Sequence, residues 1–232
     1  MTIRKAARRA PLADSLYEIL RDQFINGTRA AGEPLNIAIL SRELDVSQTP
    51  IREALARLEA TGLVQREALR GYRVAPLFSE EDLVSLRDAR LVLEPALTRA
   101  AAARVTPEFL GALLETMETL DETSRSAADS RTFPRYRSAD ERFHMAIARQ
   151  SGNPFLASAY AALGGQVQRF RLFAELGSSD AGDAAEEHRR IYEALQGHDV
   201  DLAAERMSEH VTNAGARALR DRRDVARPAP PL

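Results

Sequence analysis

Residues 47–65 read SQTPIREALARLEATGLVQ, a helical apolar rhythm with a proline in it. A helix tolerates proline without loss in its first turn, where backbone N–H groups have no intrahelical acceptor. That places Ser47 at the N-cap and Gln48, Thr49 and Pro50 in the first turn. Ile51, Leu55 and Leu58 then form one apolar stripe, while Gln48, Thr49 and Arg52 lie on the opposite, amino-terminal face, and Gly62 ends the helix. Upstream, Asp45 and Val46 make a tight turn, since Asp tolerates the left-handed backbone a turn can require. Asn36 caps a short helix that turns Leu40 and Leu44 inward, and an earlier helix from Leu12 to Asn26 carries Leu12, Leu16, Ile19, Leu20 and Phe24 before stopping at Gly27. Downstream, LVQRE and YRVAP alternate as a two-stranded hairpin about Gly71, with Arg66, Arg70 and Arg73 around it. Three short helices followed by a basic hairpin is the order of a winged helix-turn-helix. Taken alone, SQTPIREALARLEATG is equally compatible with an ordinary capped core helix.

From Ser79 onward the pattern is long helices. SEEDLVSLRDARLVLEPALTRAAAAR opens with a serine cap and an acidic first turn, and Pro95 within it is expected to kink or end the helix. Thr106 caps the next, which starts at Pro107 and places Leu110, Leu113, Leu114, Met117 and Leu120 inside. After the polar break DETSRSAADS, further helices are expected over about 130–150, 154–174, 181–196 and 199–222, divided by SGNP, GSSDAGD and GHD. The fold class is therefore mainly α: a winged helix-turn-helix followed by an all-helical bundle of about six helices.

The 232 residues leave room for two domains. We expect a basic flexible arm over 1–10, a winged helix-turn-helix DNA-binding domain over 11–77, an all-helical domain over 78–222 and a Pro-rich tail over 223–232. Residues 1–78 hold 12 basic against 9 acidic side chains, and residues 79–232 hold 20 against 25, so a polyanion would suit the head alone. No long apolar run and no apolar segment behind the basic start supports a membrane span or secretory signal, and a cytoplasmic protein is expected. With no cysteine, disulfides and thiolate ligands are excluded, and a metal site must use His, Asp or Glu.

The four histidines are His144, His188, His198 and His210. In DERFH, Asp140 and His144 are four apart and lie one turn apart on one helix face, a way to present two ligands to one ion. His188 and His210 sit near the apolar boundaries of later helices. Taken singly, each histidine reads more simply as a half-buried core or surface residue, and Asp140 with His144 as a local hydrogen-bonded pair. A site of Asp and imidazole would suit a divalent ion, zinc first, with nickel, manganese and iron as alternatives.

The stretch VSQTPIREALARLEATGLVQ with RGYRV resembles the GntR family of bacterial transcription regulators. The helical remainder resembles the FadR-type effector domain, called FCD, through LRDARLVLEPALTRAAA, DERFHMAIARQSGNP, EEHRRIYEAL and MSEH. The resemblance implies a divalent metal held by Asp140, His144, His188 and His210, with His198 outside the set as a loop residue. It also implies remaining coordination positions for water or a small carboxylate effector, with Arg90 and Asn213 as effector-binding candidates. The alternative for Arg90 is an ion pair with Glu94 one turn later. On the DNA side, Ser47, Thr49 and Arg52 match recognition-helix positions; Arg52 can read a guanine edge, contact phosphate or pair internally with Glu53 or Glu59. Arg70 in the wing suits phosphate or minor groove. Gln48, also placed on the DNA, stands where many relatives have Arg, and Ala38 where a polar residue is common, which removes potential contacts.

The resemblance implies a ligand-responsive repressor that binds double-stranded DNA at a palindromic operator as a homodimer, with no enzymatic activity. A metal-dependent hydrolase using the Asp and His cluster, or a helical dimerisation scaffold with structural histidines, are the alternatives from other classes.

Overall fold

The computed structural model describes residues 3–25, 27–68, 70–124, 133–171 and 181–226. Residues 1–77 and 78–232 form two compact units.

In the first unit, α1 (Ile3–Ile25), α2 (Ile37–Glu43) and α3 (Gln48–Ala60) pack with a sheet of β1 (Pro34–Leu35), β2 (Val64–Glu67) and β3 (Gly71–Val74). Helix α1 starts inside the stretch expected as a flexible arm, whose Ala, Lys and Arg residues favour helix. Its buried stripe is Ala13, Leu16, Leu20 and Phe24, while Leu12 and Ile19, expected in the core, are exposed. Residues four apart advance by about 40° around a helix, so the stripe of 13, 16, 20 and 24 turns inward while Leu12 and Ile19, further round the same side, fall on its flank. The Asn36 side chain accepts from Ala38 N and Ile39 N at 2.9 and 3.2 Å, capping α2. Asp45 takes the left-handed conformation, φ 50°, that the two-residue turn demands. Pro50, Ile51, Ala54, Leu55 and Leu58 of α3 are buried. The sheet has the order β1-β3-β2, all antiparallel. Its strand β1 was not anticipated, because two residues carry no alternation to read; Gly32 N to Val74 O and Val74 N to Glu33 O, at 3.0 and 2.9 Å, hold it beside β3.

In the second unit the described helices are α4 (Glu80–Ala102), α5 (Pro107–Ser124), α6 (Phe133–Gln150), α7 (Pro154–Arg171), α8 (Ala181–Gln196) and α9 (Val200–Ala226). Ser79 and Asp82 form a reciprocal capping box at the start of α4. Helix α4 continues through Pro95 rather than ending there. Leu83, Leu86, Leu97, Ala101 and Ala102 are buried on both sides of it, which outweighs the roughly 3 kcal/mol a mid-helix proline costs. Thr106 caps α5 by accepting from Phe109 N at 3.2 Å, but Leu114, expected inside, is exposed. The main core joins Ala101 and Ala102 of α4, Phe109, Leu113 and Met117 of α5, Phe143 and Ile147 of α6, Ile191 and Leu195 of α8, and Met207 and Val211 of α9. Helix α9 runs four residues past the expected end at 222. The rest of the Pro-rich tail, and most of the breaks DETSRSAADS and GSSDAGD, lie outside the described residues. None of the described helices is long and apolar enough to cross a membrane.

Candidate functional site

The residues named from the sequence fall in two groups, one in each unit.

The first is built around α6. Asp140 and His144 are one turn apart on it; α8 supplies His188 and α9 supplies His210, and all four side chains are buried. One ligand atom from each lies within 4.8 Å of every other. His144 Nε2 and His188 Nε2 are 3.3 Å apart, and Asp140 Oδ1 is 3.2 Å from His188 Nε2 and 3.8 Å from His144 Nε2. Nitrogens bound tetrahedrally at the zinc distance of about 2.0–2.1 Å are themselves separated by about 3.3 Å. Phe143 closes one side, its ring packed edge-on against His144 and His188 with centroids 5.7 and 4.6 Å away.

Two of the imidazoles are hydrogen-bonded at their other nitrogen, and the third has a carboxylate beside it. His188 donates from Nδ1 to Ala184 O at 2.6 Å, within its own helix. His210 donates from Nδ1 to Glu187 Oε2 at 2.8 Å. His144 Nδ1 lies 2.8 Å from Glu94 Oε2, a close but bent contact. With Nδ1 engaged, the lone pair of each Nε2 is left for the centre, the arrangement metal-binding histidines adopt. Burial pushes the His210 imidazole down to about 3, helped by neighbouring His188, so it is neutral and able to coordinate at ordinary pH. Burial works to raise Glu94 and Glu187, but Arg90 with His144, and Arg217 with His210, hold both well below the usual carboxylate range. Three imidazoles and one carboxylate with converging donors suit a divalent cation of borderline softness.

Of the two readings of Arg90, the ion pair is the one present: its Nε is 2.5 Å from Glu94 Oε1, and both side chains are buried. Burial would weaken the guanidinium's hold on its proton, but Glu94 raises it above the ordinary arginine value. Asn213 is exposed and donates to Glu187 Oε1 at 2.9 Å. It lines a cleft of about 390 Å³ between α8 and α9 together with Glu187, Arg190, Arg217 and Arg220. His198 sits in the loop before α9 with φ 56°, away from the cluster. Glu94, expected only as a partner of Arg90, also stands behind His144, and Glu187 behind His210 is new to the site; the one local signal for Glu187 is its place directly before His188.

The second group lies at the start of α3. Ser47, Gln48, Thr49 and Arg52 are exposed, and the Ser47 hydroxyl makes no capping bond although the residue holds the N-cap position. Arginines of this unit divide by partner. Arg29 pairs with Glu33, Arg57 with Asp14, and Arg73 with Glu67. Arg57 also stacks over Tyr17, 4.6 Å from the ring centroid. Neither of the internal partners considered for Arg52, Glu53 or Glu59, is bonded to it among the described residues. Arg52 instead lines a cleft of about 920 Å³ with Ala56 and Glu59 of α3 and Arg66 and Tyr72 of the hairpin. Arg70 is exposed at the hairpin turn.

Both units match known protein families. Residues 12–74 match the bacterial regulatory proteins of the gntR family, and residues 85–213 match the FCD domain. The chain is 32% identical over 211 residues to the probable D-xylose utilization operon transcriptional repressor of Paenarthrobacter nicotinovorans, covering 89% of this chain and 88% of that one. It is 27% identical over 199 residues to the HTH-type transcriptional repressor GlaR of Escherichia coli K12, covering 84% and 90%. Among solved structures, Escherichia coli McbR/YncC superposes with a TM-score of 0.75 at 21% identity, over 90% of this chain and 97% of that one, which shows a shared fold. The matching domains and relatives are transcription regulators, not enzymes.

Proposed function

The chain belongs to the GntR family of bacterial regulatory proteins and carries the FadR-type FCD domain; from that premise we propose that it is a ligand-responsive transcriptional repressor whose effector domain senses a small carboxylate at a metal centre. Residues 11–77 read the operator and residues 78–222 bind metal and effector. The observation that carries the sensing half is the buried set of Asp140, His144, His188 and His210 with donor atoms within 4.8 Å.

On DNA, the free guanidinium of Arg52 suits the O6 and N7 edge of guanine, and Ser47, Gln48 and Thr49 offer short polar side chains to phosphates and bases beside it. Arg70 meets phosphate or minor groove from the wing. A single winged head has few base contacts, so the protein binds a palindrome as a homodimer, matching two-fold operator to two-fold protein. Val92 of α4 and Phe155 of α7, 73% and 84% exposed, are apolar residues that a second copy would cover. Such a regulator works where the DNA is, in the cytoplasm.

In the effector domain, Asp140 and the three Nε2 atoms hold a divalent ion, zinc first, with nickel, manganese and iron as alternatives. A bound ion of this kind supplies Lewis acidity and open positions that a carboxylate can fill. Phe143 and the surrounding core exclude water from one side. Arg90, paired with Glu94, would contact an effector carboxylate only by sharing its guanidinium with that ion pair, and Asn213, exposed beside Glu187, is the second effector contact. Effector binding lowers DNA affinity by a coupling free energy of about 1–3 kcal/mol. The test is operator affinity at fixed salt, measured with and without chelator and across a panel of small carboxylic acids. A weakening by at least one acid, lost on chelation, is expected; unchanged affinity throughout overturns the sensing role.

A further inference from the structure

Residues 210, 213 and 217 of α9 follow a spacing that puts them on one helix face, and all three reach a single side chain of α8. His210 Nδ1 donates to Glu187 Oε2 at 2.8 Å. Asn213 Nδ2 donates to Oε1 at 2.9 Å. Arg217 grips both oxygens, Nη1 to Oε1 at 2.9 Å and Nη2 to Oε2 at 2.7 Å, the two-pronged geometry that fixes a carboxylate's plane as well as its place. The residue next to Glu187 in the chain is His188, whose own Nδ1 is satisfied inside α8 by Ala184 O. His188 is thus oriented by its own helix, whereas His210 is oriented by a neighbouring helix through one carboxylate.

We infer that Glu187 is a positioning residue of the metal centre, which fixes His210 toward the ion and ties the face of α9 bearing Asn213 and Arg217 to metal occupancy. The inference rests on the metal reading proposed above. A carboxylate behind a ligating imidazole fixes its tautomer and ring direction and raises its basicity. Here that carboxylate is held by Arg217, so the imidazole ring, the carboxylate and the guanidinium form one chain from the ion outward. Motion of His210 on loading is passed to Arg217 two turns along the helix, and by linkage whatever holds Arg217 and Asn213 in place strengthens metal binding in return. The outer end of the chain is reachable: Glu187, Asn213 and Arg217 line the open cleft of about 390 Å³ with Arg190 and Arg220 at its rim. Arg90, Glu94 and His144, by contrast, are all buried.

The experiment compares wild-type full-length protein with Glu187→Gln and Glu187→Asp. Gln keeps an acceptor oxygen without the charge. Asp keeps the charge but is one methylene too short to reach His210 and Arg217 together. Zinc affinity is read by competition with a chromophoric chelator, coordination by the visible spectrum of the cobalt(II) form, and folding by the melting temperature of the metal-free protein. Both variants are expected to bind zinc about 10–100-fold more weakly, with an altered cobalt spectrum. Wild-type zinc affinity and spectrum in either folded variant, with only a lowered metal-free melting temperature, would make Glu187 merely structural and overturn the inference. Failure of the wild-type protein itself to bind zinc or cobalt would instead overturn the metal reading on which it stands.

Discussion

His144 Nε2 and His188 Nε2 lie 3.3 Å apart across two helices, although the residues are separated by 44 positions in the chain. Two imidazoles at that separation, one bonded at Nδ1 to Ala184 O and the other with Glu94 beside its Nδ1, are set to share a cation. Replacing His188 by Ala removes one of four donors and opens the space behind Phe143. Zinc content by elemental analysis should fall from one per chain to near zero. The rise in melting temperature on adding zinc should vanish with it, a loss of about 2.7 kcal/mol of ligand stabilisation at a hundredfold excess over the dissociation constant. Retention of stoichiometric zinc by His188→Ala would contradict the four-residue site.

Acidification should unfold the metal-free effector domain early. The His210 imidazole is pushed from an ordinary 6.5 down to about 3 by burial and by His188. Above pH 6.5 both folded and unfolded states carry it neutral, and its contribution is fully present. Between 6.5 and about 3 the unfolded chain takes up a proton that the folded chain refuses. Stability then falls by up to about 1.4 kcal/mol per pH unit from this group. Denaturant melts of chelator-treated protein between pH 8 and pH 5 check this, and a free energy of unfolding that rises as pH drops below 6.5 would contradict it.

Arg52→Ala should separate DNA reading from folding. The residue is exposed and no ion pair ties it to the rest of the head among the described residues, so its loss leaves the unfolding free energy within about 0.5 kcal/mol of wild type. Operator affinity should fall by about 1–3 kcal/mol with relaxed preference at one base position. Arg70→Ala should weaken specific and nonspecific DNA alike and reduce the salt dependence by about one counterion. Binding titrations at several salt concentrations, on operator and scrambled duplexes, distinguish the two. An equal loss on both duplexes for Arg52→Ala would make it a phosphate contact.

His198 sits in the left-handed region at φ 56° in the loop between α8 and α9, where a side chain is strained. His198→Gly should relieve about 1–2 kcal/mol of strain and give back about 0.5–1 kcal/mol to the greater freedom of the unfolded glycine. A small net gain in stability with unchanged zinc content is expected. Loss of zinc in this variant would place His198 in the site after all.

Local rules settled the elements whose cause lies within a few residues. Pro50 fits the first turn of α3 because no acceptor is lost there, Asn36 caps α2 because its oxygen reaches the next free N–H groups, and Asp45 makes the turn because its side chain tolerates φ 50°. The spacing of Asp140 and His144 likewise put two donors on one face of α6 before any packing was known. Spacing alone left open whether His188 and His210 would meet them; it was the family resemblance that grouped all four.

Tertiary packing decided what depends on which helix lies opposite. It kept α4 continuous through Pro95, since burial on both flanks exceeds the local penalty, and it left Leu12, Ile19 and Leu114 exposed although each fits a helical period. It also supplied Glu94 behind His144 and Glu187 behind His210, partners that come from other helices and leave no periodic trace in the chain. A hydrogen bond across two helices is fixed by their relative placement, which is a sum over the whole core, whereas a cap or a turn is fixed by the backbone of its own few residues.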